Sequence, residues 1–242
     1  MKSIAIIFKT HLWNDDISKF ATKIYYQTKS TAINFFIILH DDDDNNSIYN
    51  TIESELSSVT IKVTTNEIRN MYSTGFLSMH LSNHWILMWF NQKHDYDYVW
   101  SIEYDVRISG DTNLIWNTNQ TEDFIYVSGN INVPNNPHND TYIGKKLSLL
   151  NIYTGYLQLS RYSKNFLNYL DECFRNGENG QDELIIFSLA RLGKFTMSNF
   201  LYQYVPNMWA WTWLIKYSDQ NRYLFELSEK ENLLKIVHPV KE

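Results

Sequence analysis

Continuous apolar runs separated by polar stretches dominate the first part of the chain. Ser3–Phe8 is one such run and Ile33–Leu39 is a second. A run with no polar alternation suits a strand covered on both faces. Between them, Ile17, Phe20, Ala21, Ile24 and Tyr25 recur at helical spacing over Asp15–Gln27, with Asp15 or Asp16 placed to cap the first turn. Ile48–Leu56 repeats that spacing weakly, and Val59–Val63 forms a third short strand. The order β-α-β-α-β predicts a parallel sheet covered by helices.

Ser82–Lys93 is apolar nearly all round (Trp85, Ile86, Met88, Trp89, Phe90), which predicts a helix buried against the sheet and capped by Ser82 or Asn83. It leads into Tyr96–Asp111, reading YDYVWSIEYDVRISGD, where an apolar strand stops at Glu103 and Asp105. Strand side chains alternate faces, so on an extended backbone these carboxylates point the same way, roughly 6–7 Å apart. Aligned acids at the end of a core strand ask for a cation, since charges are rarely buried unpaired. Taken alone, the stretch is equally compatible with a solvated strand end.

Phe124–Ser128 predicts another strand and Asn130–Tyr142 an exposed loop. Ile152–Leu159 is strand-like but interrupted by Gly155, which marks a bulge or a close approach by another group. Arg161–Phe174 has an amphipathic helical pattern. A loop with Gly177 and Gly180 then delivers Asp182 and Glu183 to the first turn of a helix reaching about Leu192, where negative charge is favoured. Phe195–Met197 predicts a last strand. The tail carries Trp209, Trp211 and Trp213, which would share a face if extended, and closes on Ile236-Val237-His238-Pro239-Val240-Lys241.

Composition narrows the function classes. The 242 residues are 44% hydrophobic and carry a net charge of −6, which argues against a general nucleic-acid binder. Cys173 is the only cysteine, so intrachain disulfides and thiolate metal clusters are excluded, and it is expected as a small buried residue. Ile4–Phe8 is too short for a leader's apolar core or a membrane span, and a cytoplasmic protein is expected. The triplets beginning at Asn45, Asn119 and Asn139 match a glycosylation pattern and are taken as incidental. With no internal repeat and no shift in composition, one α/β domain over residues 1–242 is expected.

Ligands of open α/β sheets bind beyond the carboxyl ends of the strands. The polar groups expected there are Lys9-Thr10-His11, Asp41–Asp44, Glu103 with Asp105, and His238 if the tail folds back. Two carboxylates and an imidazole suit a divalent cation, with Mn²⁺ favoured by the imidazole. Such a site neutralises a diphosphate. Neither GxxxxGK[ST] nor GxGxxG is present, so neither a P-loop nor a dinucleotide fold is supported.

These elements in this order resemble the GT-A fold nucleotide-sugar glycosyltransferases, and WSIEYDVRISGD is similar to a W-x-x-E-x-D-V-x-x-x-G element of poorly characterised glycosyltransferase-like families. The resemblance runs from about Ser3 to Lys241. It implies a Rossmann-like, mostly parallel sheet flanked by helices, with a nucleotide-binding half over about 1–111 and an acceptor-binding half and tail over about 112–242. Glu103 and Asp105 match the ends of the metal-binding D-x-D motif, with Glu in the first position and Tyr104 between them in donor contact. His238 matches the histidine that completes Mn²⁺ (or Mg²⁺) coordination, and Lys241 would reach the diphosphate. Gly155 falls in the glycine loop beside the donor sugar. Asp182 and Glu183 match the x-E-D motif with the acids exchanged, so either is a candidate base. Lys9, Thr10, His11, Asp41 and Asp42 correspond to the region holding base and ribose. The implied partners are a nucleotide-sugar donor, UDP-sugar favoured, and a carbohydrate or glycoconjugate acceptor, for which Trp209, Trp211 and Trp213 are candidate stacking surfaces. The implied activity is metal-dependent sugar transfer, with inversion favoured.

Plainer readings stand beside these. The acidic run is compatible with a solvated loop, Asp182-Glu183 with helix capping, and the tryptophans with core packing. His84 and His94 are expected to be structural. A non-catalytic carbohydrate-binding protein on the same fold is the rival function. A nucleotidyltransferase ranks last, because Phe8–Asn14 lacks the glycines its phosphate loop requires.

Overall fold

The computed structural model describes residues 2–42, 46–72, 84–133 and 152–241. The expected Asp43, Asp44, Ser82 and Asn83 positions, most of the Asn130–Tyr142 loop, Asn45 and the Asn139 triplet lie outside the described residues.

In chain order the elements begin β1 (Ile4–Thr10), α1 (Asp15–Thr28), β2 (Ile33–His40), α2 (Ser54–Ser57), β3 (Thr60–Val63), α3 (Thr65–Tyr72) and α4 (His84–Lys93). They continue with β4 (Tyr98–Glu103), β5 (Arg107–Ile108), α5 (Asn113–Trp116), β6 (Phe124–Tyr126), β7 (Gly129–Asn132), β8 (Tyr153–Gly155) and β9 (Leu159–Ser163). The rest are α6 (Lys164–Arg175), α7 (Asp182–Leu192), β10 (Met197–Ser198), α8 (Ser218–Lys230) and β11 (Ile236–Val237).

Among the described residues, seven strands form the central sheet in the order β10-β6-β9-β4-β1-β2-β3. The pairs β1–β2, β1–β4, β2–β3 and β6–β10 are parallel, and β9 alone runs antiparallel to its neighbours β4 and β6. The class is therefore the expected one, mixed α/β with a mostly parallel sheet between helices. The apolar run of β1 divides its side chains between two cores. Ala5 and Ile7 pack under α4, α6 and α7, while Ile6 and Phe8 pack with Ile17, Phe20 and Ile24 of α1. That two-sided burial is why the run shows no alternation.

Several local expectations are corrected. The α1 cap is Asn14, whose Oδ1 accepts from Ile17 N–H at 2.9 Å. Asp16 instead takes Arg107 Nη2 at 2.6 Å and Arg222 Nη1 at 3.1 Å, pinning α1 to β5 and α8. Ile48–Leu56 holds a 3-10 turn and the short α2 in place of one helix. The strand expected over Ile152–Leu159 is two, β8 and β9, and Arg161 belongs to β9. The following helix starts at Lys164, capped by Ser163 Oγ accepting from Phe166 N–H. Arg161 is tolerated in a central strand because its guanidinium lies 4.2 Å from the Tyr98 ring centroid and donates to the Gln120 and Glu122 carbonyls.

The tail folds back. β11 pairs antiparallel with β5, with Val237 opposite Arg107. Gly110, the glycine closing the WSIEYDVRISG element, makes this return possible. It holds φ +68°, and a Cβ there would stand 3.1 Å from the Leu233 carbonyl carbon. No described helix is long and apolar enough to cross a membrane.

Candidate active site

A cleft of about 660 Å³ opens beyond the carboxyl ends of β1 and β4. Parallel pairing sets its floor, since Lys9 of β1 stands in register with Glu103 of β4 and their charged groups are 3.8 Å apart. Lys9 is buried, so its side chain is held in place beside Glu103 at the cleft.

Glu103 ends β4 and Asp105 lies in the turn after it, where Val106 N–H donates to the Glu103 carbonyl at 3.1 Å. The two acids are thus not carried on one extended strand as the spacing implied. Val240 N–H donates to the Asp105 carbonyl, and His238 N–H donates to the Ala210 carbonyl, each at 2.8 Å. Those bonds bring His238 and Lys241 over the turn. His238 Nε2 is 3.4 Å and Lys241 Nζ 3.2 Å from Asp105 Oδ2. Burial alone would raise the Asp105 carboxyl, but the imidazole and the ammonium outweigh it and hold it at about 2. Glu103 moves the other way, because burial and then the Asp105 charge exceed what Lys9 returns.

Ligand atoms of Glu103, Asp105 and His238 all lie within 4.8 Å of one another. Asp105 Oδ1 and His238 Nδ1 are buried with no hydrogen-bond partner among the described residues. Two carboxylates and an imidazole, with an open acceptor atom on Asp105 and another on His238, fit an oxygen-preferring divalent cation of the Mn²⁺ or Mg²⁺ kind.

Asp182 and Glu183, at the start of α7, supply two further carboxyls to the cleft. Asp182 is buried, and its Oδ1 accepts from Glu183 N–H at 2.8 Å. Burial and then the Glu103 charge push Asp182 up to about 7, against the pull of Lys9. Glu183 is less enclosed and accepts from Gln158 Nε2 at 2.8 Å. Burial and then the Asp182 charge push it up to about 8. Burial is thus the first cause of both shifts, and a neighbouring carboxylate is the second.

Of the residues singled out in the sequence, Lys9, Thr10, His11, Glu103, Tyr104, Asp105, Gly155, Asp182, Glu183, Trp213, His238 and Lys241 line this one cleft. Asp41 and Asp42 do not. Asp41 is buried 3.7 Å from Lys62 Nζ, and Asp42 accepts from Thr65 N–H and Oγ1, both at 2.6 Å, at the start of α3. The tryptophans do not share a face either, because a 3-10 turn at Met208–Ala210 breaks the extended path. Trp209 packs on Tyr217, Trp211 is buried against His238 with ring centroids 5.3 Å apart, and Trp213 is 69% exposed at the cleft rim.

Gly155 lines the cleft, but its lack of a side chain is required by packing. A Cβ there would stand 2.7 Å from both Gly129 Cα and Phe187 Cε2. His84 and His94 are ring-stacked residues outside the lining, as expected of structural histidines. Gln158 went unnoticed in the sequence. Its only local signal is its place in the same polar–apolar strand run as Gly155, and its role follows from tertiary contacts.

A family model described as a protein of unknown function (DUF3405) matches residues 18–121. No curated protein matches the chain. Among solved structures, the galactosyltransferase LgtC in complex with donor and acceptor sugar analogues is 10% identical, with a TM-score of 0.46 over 80% of this chain and 72% of that one. The glycosyltransferase GlyE of Streptococcus pneumoniae TIGR4 is 12% identical, with a TM-score of 0.48 over all of this chain and 55% of that one. A putative glucose-1-phosphate thymidylyltransferase from Bacillus anthracis is 15% identical, with a TM-score of 0.46 over 81% of this chain and 85% of that one.

Proposed function

We propose that this protein is a divalent-cation-dependent glycosyltransferase, moving a sugar from a nucleoside diphosphate to an acceptor hydroxyl. The observation that carries the reading is the Glu103–Asp105–His238 cluster lining one cleft with a second carboxyl pair, Asp182 and Glu183. Glu103, Asp105 and His238 would hold the cation, Mn²⁺ or Mg²⁺, which when bound supplies charge to the departing diphosphate. Lys241, and Lys9 below it, add positive charge at the same end of the cleft. Lys9, Thr10 and His11 bound the donor side, where His11 packs edge-on to Tyr104 at 5.1 Å. A UDP-sugar is the favoured donor.

Glu183 is the stronger candidate base. Asp182 is buried and engaged with the backbone of α7, whereas Glu183 is more exposed and accepts a hydrogen bond from Gln158. In the step assigned to it, Glu183 takes the proton of the acceptor hydroxyl. The acceptor oxygen bonds the anomeric carbon, and the bond from that carbon to the diphosphate breaks with its electron pair on the diphosphate. Attack from the face opposite the leaving group inverts the anomeric centre. General-base assistance of this kind contributes about 10²–10⁴-fold. Trp213 at the rim is placed to stack on an acceptor sugar ring.

The test is transfer and hydrolysis across a panel of UDP- and GDP-sugars with Mn²⁺, comparing the native chain with Asp105→Ala. Turnover lost in the variant supports the reading, and equal turnover overturns the cation assignment. Calorimetry with UDP, with and without Mn²⁺, separates it from a carbohydrate-binding protein, which would bind sugar with no response to either.

A further inference from the structure

Gln158, between β8 and β9, touches both halves of the site. Its backbone carbonyl accepts from Glu103 N–H at 2.9 Å, and its side-chain Nε2 donates to Glu183 Oε1 at 2.8 Å. One residue therefore ties the end of β4, which carries the candidate cation ligands, to the start of α7, which carries the candidate base. Its remaining side-chain polar atom, Oε1, is buried and has no hydrogen-bond partner among the described residues, and Gln158 is one of the residues lining the cleft. An ionised carboxylate only accepts hydrogen bonds, so a Glu183 ready to act as base fixes the amide with nitrogen toward it. Oxygen must then turn away, leaving a lone-pair acceptor beside the base where an O–H donor is needed.

We propose that Gln158 is the positioning residue of Glu183 and a specificity determinant, its Oε1 accepting a hydrogen bond from a hydroxyl of the sugar bound in the cleft. The hydroxyl assignment rests on the sugar-transfer reading above, whereas the hold on Glu183 does not. A substrate hydroxyl that fills Oε1 favours the same amide orientation that an ionised Glu183 requires. Ligand recognition and base orientation are thereby coupled through a single side chain. Sites that must hydrogen-bond a substrate hydroxyl discriminate strongly against analogues lacking it, because the buried partner is otherwise left unpaired.

The test uses the full chain as native protein, Gln158→Met and Gln158→Glu, with near-UV circular dichroism confirming native packing in each. The Glu183 carboxyl is followed by ¹³C NMR in protein labelled at glutamate side chains, assigned by difference from Glu183→Gln. This readout needs no turnover. Losing the Nε2 donor in Gln158→Met should raise the Glu183 midpoint by about one pH unit, a tenfold change in its protonation equilibrium. The like charge in Gln158→Glu should raise it further. A Glu183 midpoint equal in native protein and folded Gln158→Met overturns the positioning role.

The second arm measures transfer to acceptors lacking one hydroxyl at a time, and from donors altered the same way. The native chain should lose at least about tenfold in kcat/KM for one such analogue, and Gln158→Met should lose that preference. Native and variant chains with the same preferences overturn the hydroxyl assignment. If the native chain transfers from no sugar nucleotide, the functional reading and the hydroxyl assignment fall together, while the titration still decides the hold on Glu183.

Discussion

His238 Nε2 stands 3.4 Å from Asp105 Oδ2, a contact that exists because β11 pairs with β5 and returns the tail over the carboxylate turn. The cluster with Glu103 is therefore assembled by tertiary structure, and its affinity for a cation should depend on each member. Asp105→Asn keeps the shape of the side chain and removes its charge. Mn²⁺ binding, followed by electron paramagnetic resonance, should weaken at least about tenfold, or ~1.4 kcal/mol. Equal binding in the two chains would remove Asp105 from the ligand set.

Glu183 gives the site a pH signature. In the free protein its carboxyl is raised to about 8 by burial first and by Asp182 second, so the basic form accumulates only as pH rises through that value. The ascending limb of kcat/KM should lie near pH 8 when the cleft is otherwise empty, and positive charge entering it should move the limb lower. Asp182→Asn removes a like charge and favours the ionised base, so the limb should shift toward acid. Glu183→Gln should cut kcat by about 10²–10⁴-fold and abolish the limb. A limb that stays put in Asp182→Asn would place the titrating base elsewhere.

The parts of this architecture legible in the sequence are those where one residue type has one physical meaning. Ile4–Phe8 and Ile33–Leu39 read as strands buried on both faces, and both strands feed the two cores, with Asn34 the exposed position of the second. The strand-end rule points to Lys9, Glu103 and Asp105, which line one cleft, but it does not say which strand ends share that cleft. Asp41 and Asp42 sit at the end of β2, one strand further from β4, and are engaged by Lys62 and Thr65. β9 is illegible because Arg161 makes a central strand look like the start of a helix, and its burial is explained by tertiary contacts alone, the Tyr98 ring and the Gln120 and Glu122 carbonyls. A glycine inside the Ile152–Leu159 run signals a bulge or a close approach; the close approach is present, yet nothing local names Phe187 and Gly129 as what approaches.

That packing makes Gly155→Ala a stability experiment. The added methyl meets the Phe187 ring and the Gly129 backbone at separations carbon atoms do not adopt. Overpacking of this kind costs about 1–3 kcal/mol or more. Urea unfolding should show that loss, and Phe187→Leu in the same chain should recover part of it by vacating the ring position. A fully stable Gly155→Ala would mean that β7 and β8 can separate freely.

Trp211 and Trp213 lie two residues apart and should behave oppositely. Trp211 is 4% exposed and packs on His238, so Trp211→Ala should cost about 3–5 kcal/mol of stability and disturb cation binding. Trp213→Ala should change stability by less than about 0.5 kcal/mol while raising the acceptor KM. An unchanged KM for every acceptor would take Trp213 out of the binding surface.

His84 should set part of the acid sensitivity of the fold. It is 2% exposed, lies 4.8 Å from the Trp85 ring and 4.9 Å from the Phe174 ring, and neither ring nitrogen has a hydrogen-bond partner among the described residues. Burial first and the Lys9 charge second push it down to about 3, from 6.5 when exposed. The unfolded chain therefore binds a proton that the folded chain refuses, and stability is lost as pH falls from about 6.5 toward 3. Within that window the slope from this one group is about 1.4 kcal/mol per pH unit. His84→Phe suits the aromatic surroundings and has nothing to protonate. Urea unfolding of both chains at pH 7, 6, 5 and 4 should show a stability difference that grows in favour of His84→Phe as pH falls. A difference that stays constant with pH would mean that His84 is protonated in the folded protein or reaches water there.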